Sequence, residues 1–317
     1  MPRYPVVPPD TTLARSIDKA DHLTHRLMRG TKRLHLSPIR RRRLNALLGT
    51  DRHVSHLTLA DVDARKASSQ IFFAVVEEQV GALIPAGAPT CHLTLVDDIG
   101  LTTDRDPIIR LTAFRRKVDK AIRSLGLSGV AVMEIQPLTN YPAKGEGRTL
   151  MLNTHVLGWG PVSRRKFRAA LKKLNASRSW SNAFAAKPIK SRRLKHGVDD
   201  ALKIICYQTK VPYGAKYRVP CPGRPGRYRF KPTLTGFTDT LALRLMEGLS
   251  QISIYDSVFC IGDAKHIRKV WKTRLMEWQR LRSEVGRGPI ADFDVPKLWR
   301  RIRKTNGSEH YQPFKIV

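Results

Sequence analysis

Apolar positions recur along this chain in two rhythms. Val62, Ala67, Ile71, Val75, Val80 and Leu83 fall at roughly helical spacing, which predicts a helix from about Ala60 to Leu83. The stretch before it, from Thr11, reads as helices separated by short breaks. Pro85, Gly87 and Pro89 then end the helical texture. Cys91–Val96 (CHLTLV) alternates and is rich in strand formers. Ile108, Leu111, Phe114, Val118 and Ile122 mark one face of a helix over residues 107–125. Gly129–Ile135 (GVAVMEI) and Leu150–Trp159 (LMLNTHVLGW) are strand signals, joined by a long connection rich in Pro, Asn and Gly.

Beyond Trp159, Ser163 is placed to cap a helix whose apolar side carries Phe167, Ala170, Leu171 and Leu174. Asp199 is expected to cap another, which must stop near Pro212. Residues 217–232 read as loop or short strands. The last 80 residues read as helices, with an amphipathic one around Ile267, Val270, Trp271, Leu275 and Trp278. The expected fold is α+β: an antiparallel sheet with helices on one face, a split, ferredoxin-like core, between helical N- and C-terminal regions. The boundaries expected are 1–85, 86–245 and 246–317.

Charge narrows the class of partner. The 317 residues hold 58 Lys+Arg against 26 Asp+Glu, a formal net charge of +32. Residues 161–232 concentrate it, with 20 basic side chains and only Asp199 and Asp200 to oppose them. A merely soluble surface mixes its signs, so this block points to a polyanion, nucleic acid first. Arg164, Arg165, Lys166, Lys172, Arg192, Arg193 and Lys203 are the candidate DNA contacts. The run Arg40–Arg43 is either a phosphate-contacting helix or a basic arm. No stretch is apolar enough to span a membrane, and the N-terminus lacks a signal-peptide core. Cys91, Cys206, Cys221 and Cys260 lie far apart, which argues against a zinc ribbon or a disulfide scaffold and for a cytoplasmic protein.

One constellation could carry chemistry. Asn153 and His155 stand two apart on a strand and share a face. If the preceding strand pairs so that Glu134 lies opposite, a carboxylate, an amide oxygen and an imidazole converge, a mixed set able to hold Mg²⁺ or Mn²⁺. Tyr207 and Lys210, three apart on a helix, share a face, with Lys203 one turn earlier. Blander readings stand beside these. A lone strand histidine is more often structural, Glu134 could pair with an arginine, and Tyr-x-x-Lys recurs at Tyr141–Lys144 and Tyr213–Lys216. His92 could be a ligand or could face the other side of the sheet. His53 and His56 share helical spacing with few acids or cysteines nearby.

The order of these elements resembles the HUH endonuclease superfamily, most closely its plasmid rolling-circle replication initiators. The matching segments are Cys91–Val96, Asn153–His155 and Tyr207–Lys210, and the resemblance spans roughly residues 90–217. It implies a tyrosine nucleophile, Tyr207 with Tyr213 as substitute, attacking single-stranded or origin-hairpin DNA, with Lys210 stabilising developing charge. It also implies a divalent metal at Glu134, Asn153 and His155. The chain departs from the family pattern at Asn153, where a histidine is expected, and at Thr154, where a bulky apolar residue is. Two alternatives stay open: a decayed member that binds without cutting, and a helix-turn-helix regulator using residues 15–83. Association into a homo-oligomer is compatible with either.

Overall fold

The computed structural model describes Arg29, Pro38 and residues 57–284, except 85–87, 105–106, 140–147, 182–186, 195–196, 209–214, 224–227 and 233–237. Arg40–Arg43, His53, His56, Tyr141, Tyr213 and Lys210 therefore lie outside the described residues, as do residues 15–56, Arg29 and Pro38 apart, of the 15–83 segment suggested for a helix-turn-helix. The fold is mixed α+β. Its central hairpin joins β2 (Ser128–Thr139) to β3 (Arg148–Trp159), in continuous antiparallel register from Ser128–Trp159 to Thr139–Arg148. β1 (Thr90–Thr103) pairs antiparallel with the far side of β3, and β4 (Ile189–Arg193) adds to the outer edge of β1. The strand order is β4-β1-β3-β2-β5-β6, with β5 (Lys216–Pro220) parallel to the end of β2 and antiparallel to β6 (Tyr228–Pro232). One more strand, β7 (Val258–Ile261), pairs with the start of β2.

Why these segments form strands follows from what they bury. In β2 every residue from Gly129 to Leu138 is buried, as expected of a strand covered on both faces. β1 keeps the alternation visible in the sequence, with Cys91, Leu93 and Leu95 buried while His92, Thr94 and Val96 are half-exposed. Its register breaks between Val96 and Leu101. Asp97 anchors this irregularity. It is almost wholly buried and accepts hydrogen bonds from Lys117 Nζ at 2.5 Å, Ile99 N at 3.0 Å and Ser181 N at 3.0 Å. Gly100 lies where the backbone passes so close to β3 that a Cβ would sit 2.4 Å from the Leu152 carbonyl oxygen.

Helices complete the core. α1 (Val62–Leu83) starts at Asp61, whose carboxylate caps it by accepting from Ala64 N at 2.9 Å. α2 (Leu111–Ser124) buries Phe114, Val118 and Ile122 of the face its spacing predicts, and Ala121 with them; Ile108, expected on that face, precedes the helix and is exposed. Ser163 caps α3 (Arg164–Ala176) as expected, accepting from Lys166 N. α4 (Gly197–Gln208) begins two residues before Asp199, so that residue lies inside the helix and is not its cap. After α5 (Asp239–Leu249) and the short α6 (Ile254–Ser257), α7 (Lys265–Glu284) buries Ile267, Trp271 and Leu275. The chain beyond 246 is thus not purely helical, because β7 joins the sheet. α1 and α7 pack together through Phe72 and Trp271, edge to face at 6.0 Å. Both helices share one hydrophobic core with the sheet.

Candidate functional site

Antiparallel pairing decides which side chains meet. Residues directly opposite share a face, so Thr94, His155 and Val132 form one row across β1, β3 and β2. Val96, Asn153 and Glu134 form the next row, and Arg192 and Lys190 on β4 stand opposite His92 and Thr94. The opposite face carries Leu93, Leu95, Ile135, Leu152 and Val156, all wholly buried. One face of this sheet is therefore apolar core, and the other carries a polar strip whose inner members are buried. Glu134, Gln136, Asn153 and His155 are each at most 5% exposed. Burying polar groups is costly unless they bond, so such a strip calls for a reason.

At its centre, His155 Nε2 is 2.9 Å from Glu134 Oε2. A carboxylate only accepts, so Nε2 donates to it. Two groups approach Nδ1, Thr94 Oγ1 at 3.2 Å and His92 Nε2 at 3.3 Å. His155 thus links the buried carboxylate on one side to the half-exposed His92 on the other. Asn153 sits beside this chain, directly opposite Glu134, and its Oδ1 is buried with no hydrogen-bond partner among the described residues.

The sequence grouping of Glu134, Asn153 and His155 therefore converges on one face, through the register it required. Within it, Glu134 and His155 are turned toward each other. Among the described residues no group of three or more His, Cys, Asp and Glu is arranged to hold a metal ion. What sequence reasoning undervalued is His92, which shares the site face. The signal was present in the alternation of β1, where His92 and Thr94 have the same parity. What was missing was the β1–β3 register, set by residues 63 apart in sequence.

The remaining candidates are spread around this strip. α4, whose backbone carries Tyr207, packs against β1, β2 and β3, and its Ala201, Leu202 and Ile205 are buried. Lys203 on the same helix is half-buried. Arg164, Arg165, Lys166 and Lys172 are exposed on α3, a helix with no fully buried residue. Asn175 of α3 bonds both backbone groups of Ile189, at 3.0 and 2.9 Å, tying the basic helix to the start of β4. Arg192 and Arg193 are exposed on that edge strand, Arg192 on the face of His92 and Arg193 on the other. Charged side chains on an edge also keep it from pairing with other strands, which is their plainer role.

Two of the cysteines, Cys91 and Cys260, are chemically quiet. Burial pushes the Cys91 and Cys260 thiols up to about 12, so neither is a nucleophile at neutral pH. No helix among the described residues is long and apolar enough to cross a membrane. No family model, no curated protein and no solved structure matches this chain.

Proposed function

We propose that this chain binds single-stranded DNA along the β4–β1 edge of the sheet, beside the polar strip, and nicks and rejoins it through Tyr207, as a replication initiator with an HUH-type core. The observation that carries the reading is the buried polar strip of Glu134, Asn153, His155, Thr94 and His92 on one face of the sheet. A strip of this kind contributes little to folding, and here it opens toward a basic edge in a chain of net charge +32. A phosphodiester laid beside His92 would meet Lys190 and Arg192 on the neighbouring strand, two cations suited to a phosphate.

In the nicking step the Tyr207 oxygen bonds to phosphorus and the bond from phosphorus to the 3′-oxygen breaks. The phenolic proton ends on the departing 3′-oxygen, and Lys210 stabilises the charge that develops between them. The phosphotyrosine keeps the bond energy, so the free 3′-hydroxyl can reverse the step and rejoin the strand. The reading is tested by incubating the protein with a pool of labelled single-stranded oligonucleotides and Mn²⁺, then running a denaturing gel. A covalent adduct that disappears in Tyr207→Phe supports it, and one that survives moves the nucleophile to Tyr213.

Binding without cleavage is the second reading, and one observation favours it. Both ring nitrogens of His155 are already engaged within the protein. Retained, salt-sensitive DNA binding with no adduct across the whole oligonucleotide pool would select it.

A further inference from the structure

Charge along α3 is set against the helix's own stability, and that placement points to a partner. We propose that α3 lies in the major groove of double-stranded DNA, with its outward row of residues on the base edges and its flanking cations on the phosphates of both strands. The inference goes beyond single-strand binding and does not depend on Tyr207.

Six of the 13 residues of α3 are Lys or Arg, none is acidic, and all six are exposed. Three of them, Arg164, Arg165 and Lys166, open the helix, at the end where its dipole favours anions and disfavours cations. Arg164 with Arg168, and Arg168 with Lys172, are like charges one turn apart, which weaken the helix further. A helix whose only task is to meet water mixes its signs. An anionic partner at this surface relieves both conflicts at once.

The shape of that surface selects among polyanions. Phe167, Ala170, Leu171 and Leu174 are half-buried against the core, and Asn175 ties the helix to Ile189. On the opposite side Arg165, Ala169, Lys172 and Ala176 recur at i, i+4, i+7 and i+11, one exposed outer row. Two of these four are alanine, so the helix backbone can come close to what it meets. Arg164 and Arg168 stand on one flank of the row, Lys166 and Lys173 on the other. The major groove of B-DNA, about 12 Å wide, admits a helix about 10–12 Å across. Seated there, the flanks face the two phosphate backbones, Arg165 and Lys172 reach guanine edges, and the alanines meet thymine methyl groups. Duplex RNA has a major groove too narrow for side chains to read. A membrane-surface helix buries its apolar face in lipid, whereas that of α3 already lies on the core. A single strand carries one phosphate chain and engages one flank.

The test starts from selection by the full chain on a pool of random-sequence DNA duplexes, followed by binding titrations with a selected duplex and with one of its single strands. Ala169→Leu keeps every charge and fills the outer row. It should weaken binding to the duplex at least ~10-fold and leave binding to the single strand unchanged, which a purely electrostatic surface would not do. Arg165→Ala should weaken the selected duplex about 10–100-fold and relax preference at the base it reads. Methylation of guanine N7, in the major groove, should block binding, and methylation of adenine N3, in the minor groove, should not. The proposal is overturned if no duplex is enriched, if Ala169→Leu binds the selected duplex as the parent does, or if interference falls on adenine N3 alone. Ala169 is exposed and leucine is a good helix former, so the variant keeps the fold, and the interference pattern comes from the unmodified protein. The adduct assay reads nicking separately: its failure, with these results retained, would overturn nicking and leave the duplex site standing.

Discussion

Removing the Asp97 carboxylate should unfasten the irregular segment of β1 that precedes the site. Asp97 is 1% exposed and serves three donors: Ile99 N on Oδ1, and Ser181 N and Lys117 Nζ on Oδ2. Taking one partner from a buried ion pair costs about 3–5 kcal/mol, because the other charge is left uncompensated. Two features lower that figure. The Lys117 side chain keeps 22% of its exposure, and Ser181 is at the surface, so water can reach both donors. Asp97→Ala should therefore cost about 3 kcal/mol. In urea unfolding, with a slope of roughly 2–3 kcal/mol per molar, the midpoint should drop by about 1 M at constant slope. Lys117→Met keeps most of the side-chain stem and removes the ammonium, which also lies 4.9 Å from the Trp180 ring centroid. In the double variant part of the loss should return, giving a coupling of about 1.5–3 kcal/mol. A loss below about 1 kcal/mol in Asp97→Ala, or strict additivity in the cycle, would refute the view that this buried pair anchors the strand.

Further outcomes are expected elsewhere. Trp271 is wholly buried and donates from its indole to the Ser68 carbonyl at 3.3 Å, so Trp271→Ala should cost about 3–5 kcal/mol by the same assay. Burial pushes Cys91, Cys260 and Tyr255 up to about 12. Each is neutral in the folded chain where the unfolded chain has already lost the proton, so their contribution is complete below about pH 8.5 and fades as pH rises toward 12. Stability measured against pH should fall over that window, and Cys91→Ala should flatten the fall by on the order of 3 kcal/mol; an unchanged slope would contradict the burial argument. Replacing Arg164, Arg165 and Lys172 together by Ala should weaken binding to single-stranded DNA. It should also lower the slope of log affinity against log salt by about 0.7 for each phosphate no longer neutralised, whatever the DNA sequence. An unchanged slope would remove α3 from the interface.

The sequence alone determined the elements whose information is local. Alternation in Cys91–Val96 and the apolar runs around Gly129–Ile135 and Leu150–Trp159 specify three strands. Glu134 faces Asn153 because the two lie on arms of one hairpin, where a single register fixes every pair. The helical spacing of Phe114, Val118 and Ile122, and the Ser163 cap, were equally legible. The basic block of residues 161–232 is a property of composition and needs no fold to be read.

The tertiary structure alone decided the rest. β4 is five residues of IKSRR, four of them exposed, with no apolar pattern to announce a strand. It becomes one because the open edge of β1 offers it backbone hydrogen bonds. β7 is four residues long, too short to show a period, and pairs with a strand more than a hundred residues earlier. His92 meets His155 only because β1 folds onto the far side of the hairpin. A contact across that sequence distance is set by which strand wins a shared edge, and no local rhythm encodes it.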